Sequence, residues 1–144
     1  MKVIGVDIDK SKAIFYALEK DKNGNTINLT GDFKYLTLSD DTNNSRVREF
    51  QSAVHSFFDV ITPDRIAILK RQTKGRFKSS PLSFKVEGLI QCYEKVDIEF
   101  LPPITISTYF KKNDFTLQLE HNYQEAAAKL ACFLTLSERS YSPE

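Results

Sequence analysis

Two apolar runs open the chain, Val3-Ile4-Val6-Ile8 and Ala13 to Leu18, with only the polar residues Asp9 to Lys12 between them. Spacing this close predicts an antiparallel hairpin, because a connection that short holds no crossover helix. A parallel, doubly wound sheet is therefore excluded at the N-terminus, and no glycine-rich phosphate loop follows the first strand. Turn residues recur at Asp21 to Gly24 and at Gly31-Asp32, and Phe33 to Leu38 alternates at period two as a third strand. Three strands in succession form an antiparallel meander.

After Asp40-Asp41 the period changes. Val47, Phe50, Val54, Phe57, Phe58 and Ile61 follow the spacing of an amphipathic helix, which Asp and Asn residues at 40–44 can cap and Pro63 ends. Its aromatic stripe reads as core, and His55 beside it as a boundary residue. Arg65 to Leu69 is a short β-branched strand, parallel to an earlier one because a helix precedes it. Leu82, Val86, Leu89, Ile90 and Tyr93 mark a second helix, Val96 to Leu101 a further strand, and Ile104 to Phe110 a short helix. A polar connection over 111–120 leads to an Ala-rich terminal helix from Tyr123 to Leu136. This order packs as an α/β domain with a mixed five-stranded sheet, three antiparallel strands then two parallel, and helices on both faces. With 144 residues, 41% of them hydrophobic, the chain supports one core; residues 1–137 form that domain and 138–144 a fraying tail.

Charges at Lys2, Asp7, Asp9 and Lys10 interrupt any apolar stretch of the signal-peptide kind, and no run approaches the ~18 apolar residues of a membrane span. The expectation is a cytoplasmic protein. Cys92 and Cys132 form neither a disulfide framework nor a metal knuckle, and read as two partly buried, reduced thiols.

The chemistry-bearing residues fall in two places. Asp7 ends the apolar first strand, with Asp9 two residues on and on the same face by alternation. A carboxylate among apolar neighbours costs free energy unless it is paired or holds a cation, so Asp7 is either a metal ligand or the partner of a nearby Lys. Asp9 reads as the start of the turn. The second place is residues 70–85, KRQTKGRFKSSPLSFK, which carry Lys70, Arg71, Lys74, Arg76, Lys78 and Lys85 and no acid. Such a stretch can neutralise phosphates, with Ser79 and Ser80 as further donors and Phe77 to stack on a base; the alternative is a solvated loop. The net charge of +1 hides it, because the remaining residues hold 14 basic against 19 acidic side chains. A near-neutral total is the sum of an acidic body and one basic segment, where a phosphate-bearing partner would touch.

The first strand with Asp7, the segment Ile66–Gln91 with TKG at 73–75 and SFKVEG at 83–88, and Glu125-Ala-Ala-Ala resemble a family of short bacterial proteins of unknown function. That family is similar to the RuvC resolvases and the wider ribonuclease-H-like superfamily. The resemblance implies a ribonuclease-H-like fold and, for an active member, Mg²⁺ or Mn²⁺ held by carboxylates of the first strand, the fourth strand and the last helix. Asp7 matches the first-strand acid and Glu125 a carboxylate of the last helix. The fourth-strand acid falls at Leu69-Lys70 and the final one near Ala128, so two carboxylates remain, and Lys70 would repel an ion. Glu87 could substitute, although a Glu early in a helix commonly serves the helix dipole. His121 shares a helix face with Glu125 only if the helix begins that early; otherwise it is a solvated residue. Two functions follow as expectations. One is a degenerate nuclease-fold module binding nucleic acid or a protein partner; the other is a Mg²⁺-dependent phosphodiesterase acting on structured DNA or RNA, with Asp7 and Glu125 as catalytic metal ligands. The oligomeric state is not readable from the sequence; the resemblance to RuvC leaves a homodimer as one possibility.

Overall fold

A computed structural model describes residues 1–71 and 80–136. Strand β1 (Lys2–Asp9) pairs antiparallel with β2 (Lys12–Lys20), from Lys2 opposite Glu19 to Asp9 opposite Lys12. The hairpin turns through Lys10, whose φ of 56° lies in the left-handed region. The strand expected over Phe33 to Leu38 is present but shorter, as β4 (Tyr35–Thr37), and an unexpected strand β3 (Thr26–Asn28) precedes it; both pair with β2. Between them Thr30 turns inward and its hydroxyl accepts from the Ala17 N–H at 2.9 Å, so a side chain replaces the ladder bond that a continuous strand would supply. Among the described residues the sheet thus has six strands rather than five, in the order β3-β2-β1-β5-β6 with β4 beside β2.

Helix α1 (Asn44–Ile61) is capped by the Asn43 side chain, which accepts from the Ser45 and Arg46 amides. Strand β5 (Arg65–Leu69) runs parallel to β1, with Val6 opposite Ile68. Helix α2 (Pro81–Gln91) follows, with Ser80 as its N-cap, and then β6 (Ile98–Leu101), parallel to β5. Helix α3 (Pro103–Lys112), a 3₁₀ turn (Asn122–Gln124) and α4 (Glu125–Leu134) complete the order.

The sheet separates two cores. Ile4, Val6, Ile8, Phe15, Ile66 and Ile68 face α1 and α2, where Phe50, Val54, Phe57, Phe58 and Ile90 meet them. His55 bridges these helices with a hydrogen bond between Nε2 and the Leu89 carbonyl, 2.9 Å apart, as a boundary residue should. Val3, Ile14, Tyr16, Leu18 and Ala67 face α3 and α4. The two thiols are free; Cys132 is partly buried, but Cys92, at the solvent end of α2, is exposed rather than partly buried. No helix among the described residues is long and apolar enough to cross a membrane.

Helix α4 lies unusually close to β1, and Gly5 is the reason. A Cβ on Gly5 would collide with the Ala127 carbonyl oxygen and come within 2.8 Å of the Ala131 nitrogen. Small residues on both elements let the backbones approach. At the other end Arg65, in register with Val3, reaches the Leu134 carbonyl at 3.0 Å. Helix α4 therefore runs antiparallel to β1, and its first turn lies at the end of the sheet where Asp7 stands.

Candidate functional site

Asp7 is partly buried at the carboxyl end of β1, on the face that carries Val3 and Gly5. Because β5 is parallel to β1 and paired as far as Val6–Ile68, the residues leaving β5 run alongside Asp7 to Asp9. Lys70 is tied to the β6 side by its amide, which donates to the Leu101 carbonyl at 2.8 Å, and its side chain is exposed. The expectation that Lys70 faces Asp7 is therefore corrected by one residue. Arg71 supplies the cation that acts on Asp7.

Three carboxylates feel that guanidinium. Burial pushes the Asp7 carboxyl up from its ordinary value; the Arg71 charge opposes the rise and the Asp9 charge adds to it. Burial likewise draws Arg71 down, and Asp7, then Glu87, then Asp9 counter it. Glu87 is raised by burial and lowered by Arg71. Glu87 stands in the middle of α2 rather than in its first turn, so the dipole role does not apply. With Phe84 and Gln91 it forms one helical stripe, and these three line a cleft of about 420 Å³ with Lys70, Arg71 and Phe100. Among the described residues, the buried Arg71 Nε has no hydrogen-bond partner. A donor in that condition is costly to leave unmet, which marks the cleft as a place for an acceptor.

Glu125 opens α4 at the same end of the sheet as Asp7, but its carboxylate is exposed and ion-paired with Lys129 at 2.8 Å. The final acid position of the resemblance is filled by Ala128, fully buried against the sheet. His121 precedes the 3₁₀ turn, so it does not share a helix face with Glu125; it is an exposed residue. Lys85 pairs with Asp41 at 3.6 Å, and its ammonium also donates to the Asp41 carbonyl, which turns it toward the entry to α1. Ser80 is spent on capping: its hydroxyl oxygen accepts from the Ser83 amide. Lys74, Arg76, Phe77, Lys78 and Ser79 lie outside the described residues.

A divalent ion does not fit what is present. Among the described residues no three His, Cys, Asp or Glu side chains come together to hold one, and the positive charge beside Asp7 is already a guanidinium. A second cation there would be repelled. Sequence reading weighed Asp7 and Glu125 and set Glu87 aside; Gly5 and the cleft residues Phe84, Gln91 and Phe100 escaped it. An isolated Gly in an apolar strand was the available signal for close backbone approach.

The model of the family described as "Protein of unknown function (DUF3010)" matches residues 1–134. The chain belongs to that family. No curated protein matches its sequence. In its fold the DUF3010 chain is similar to Thermus thermophilus RuvC, with a TM-score of 0.73, 11% identity and 91% of each chain covered. It is similar also to T. thermophilus RuvC in complex with a Holliday junction substrate, with a TM-score of 0.67, 13% identity, and 91% of this chain and 90% of that one covered. The yeast mitochondrial Holliday junction resolvase Ydc2 gives a TM-score of 0.52 at 11% identity, over 75% of this chain and 53% of its own. The fold is thus ribonuclease-H-like, as the family resemblance implied.

Proposed function

We propose that this chain is a catalytically silent ribonuclease-H-like module that binds nucleic acid without a metal ion. One observation carries the reading: an arginine, Arg71, supplies the cation that acts on the first-strand acid, and among the described residues its buried Nε has no partner. A guanidinium in the field of the Asp7 and Glu87 carboxylates can donate to a phosphate oxygen, and it stands at the head of the acid-free stretch 70–85. Phosphate attraction is kept, while the ion that would activate water is displaced. Structural similarity to proteins solved with Holliday junction DNA supports the choice of ligand.

The test is binding of labelled single-stranded, duplex and junction oligonucleotides in chelator at low salt. Binding should fall steeply as salt rises, and reversing Lys74, Arg76 and Lys78 to Glu together should remove it. Absence of binding to all three substrates would overturn the reading in favour of a protein partner. The placement of Glu125 at the same end of the sheet as Asp7 favours the second reading, a Mg²⁺-dependent nuclease. Cleavage in Mg²⁺ or Mn²⁺ that disappears in a folded Asp7→Asn variant would establish it.

A further inference from the structure

On the far side of Asp7 from Arg71, the sheet carries a cluster of rings. Asp7, Ile14 and Tyr35 stand opposite one another on β1, β2 and β4, so their side chains share one face, with Tyr35 two strand spacings, about 10 Å, from Asp7. Tyr35 is 50% exposed. Its ring meets Tyr123 edge-on at 5.7 Å and 83°, and His121 stacks on Tyr123 at 5.1 Å and 14°. Lys12 places its ammonium 5.2 Å from the centre of the Tyr35 ring and 5.7 Å from that of Tyr123. An ion pair between Lys34 and Glu120, at 3.4 Å, ties β4 to the segment that delivers His121.

The rings at the centre of the core, Phe15 and Phe58 among them, are fully covered. This cluster instead gathers rings from a strand and a turn far apart in sequence, leaves His121 and Tyr35 open to solvent, and adds a cation. Ring faces beside a cation are what a nucleobase and its phosphate use, whatever the base. Beside Tyr123 a cavity of about 380 Å³ reaches Leu69, the last residue of β5, with Ser107, Asn122, Glu125 and Lys129 among its lining.

We propose that Tyr35, His121 and Tyr123, with Lys12 between them, form a ledge on which an unpaired base stacks, so that the ligand of this module is single-stranded rather than fully paired nucleic acid. The inference rests on the nucleic-acid reading above and adds the kind of strand and a second contact region. A base held in a duplex cannot offer its face to the ledge.

The experiment compares one labelled oligonucleotide, single-stranded and annealed to its complement, by fluorescence anisotropy. The wild-type chain should bind the single strand more tightly. Tyr35→Ala should weaken that binding about tenfold with the salt dependence unchanged, because stacking releases no counterions, and Tyr35→Phe should retain it. His121→Ala, on an exposed turn, should act in the same direction and serves if Tyr35→Ala fails to fold. The ledge is refuted if folded Ala variants keep their single-strand affinity within about twofold, or lose duplex affinity equally. If those variants are silent while the Lys74, Arg76 and Lys78 reversal abolishes binding, the ledge alone fails. If the wild-type chain binds no nucleic acid, the functional reading fails and takes the ledge with it.

Discussion

The two faces of the sheet use opposite means. Toward α1 and α2 the core is built from large rings: Phe15, Phe33, Phe57, Phe58 and Tyr93 pack on one another with centroids 4.4–6.1 Å apart. Toward α4, Gly5, Ala67, Ala127, Ala128 and Ala131 stand among larger residues such as Tyr16, Leu18 and Leu130, and at Gly5 the backbones come close instead. Bulk on the first face supplies stabilisation through buried area. Small residues on the second bring α4 down until charged groups can be carried at the margins of the core. Arg65 and Glu99 form a two-point ion pair at one end, at 2.9 and 2.6 Å, and Asp7 and Arg71 stand at the other. The first face supplies the cleft residues of α2 and Phe100, and the second face carries Asp7, so the candidate site straddles the end of the sheet.

If this contrast is right, Phe58→Ala should have the largest effect, a loss of about 3–5 kcal/mol in denaturant melts, since Phe58 is fully buried among other rings. Gly5→Ala should come next, near the upper end of the roughly 1–3 kcal/mol of overpacking, because the collision is with backbone that no rotamer change relieves. A neutral Gly5→Ala would mean that α4 can lift, and would undo the contrast. Glu99→Gln should cost about 2 kcal/mol, less than a fully buried pair because Glu99 keeps some solvent contact.

Asp7→Asn should have the smallest effect, and of opposite sign. Asp7 titrates above its ordinary 3.8, through burial first, so between that value and the raised one the folded chain holds a proton that the unfolded chain has lost. Stability falls as pH rises through that window and stays at the lower level above it. Asp7→Asn should therefore melt slightly higher than wild type at neutral pH, with the difference closing below about pH 4. A lower melting temperature at neutral pH would show that the pairing with Arg71 outweighs burial.

The fold was legible wherever periodicity was local. The hairpin, α1 with its Asn cap, β5 and α2 follow from spacing and turn residues close in sequence, and their limits agree to within a few residues. Strand β3 was not legible, because three exposed residues show no period and their place is fixed by pairing with β2 across the sheet. Candidates for the site were legible in part: a carboxylate closing an apolar strand singles out Asp7 from sequence, and the acid-free stretch singles out 70–85, of which 72–79 lie outside the described residues. Which cation meets Asp7 is a question of where the chain leaves β5, and Lys70 and Arg71 are equivalent in a one-dimensional reading. Likewise Tyr35 reads as an ordinary alternating strand residue and Tyr123 as a helix-start aromatic; only their contact reveals a ledge.

By itself, then, the sequence determined the order of elements, the two-sided burial of β1 and the existence of an acid at its end, because hydrophobic period and turn chemistry act over a few residues. Tertiary structure decided the site's chemistry. Coulomb and stacking interactions depend on distances between groups that lie tens of residues apart, and those distances exist only once α4 has closed on Gly5 and β5 has delivered Arg71 beside Asp7.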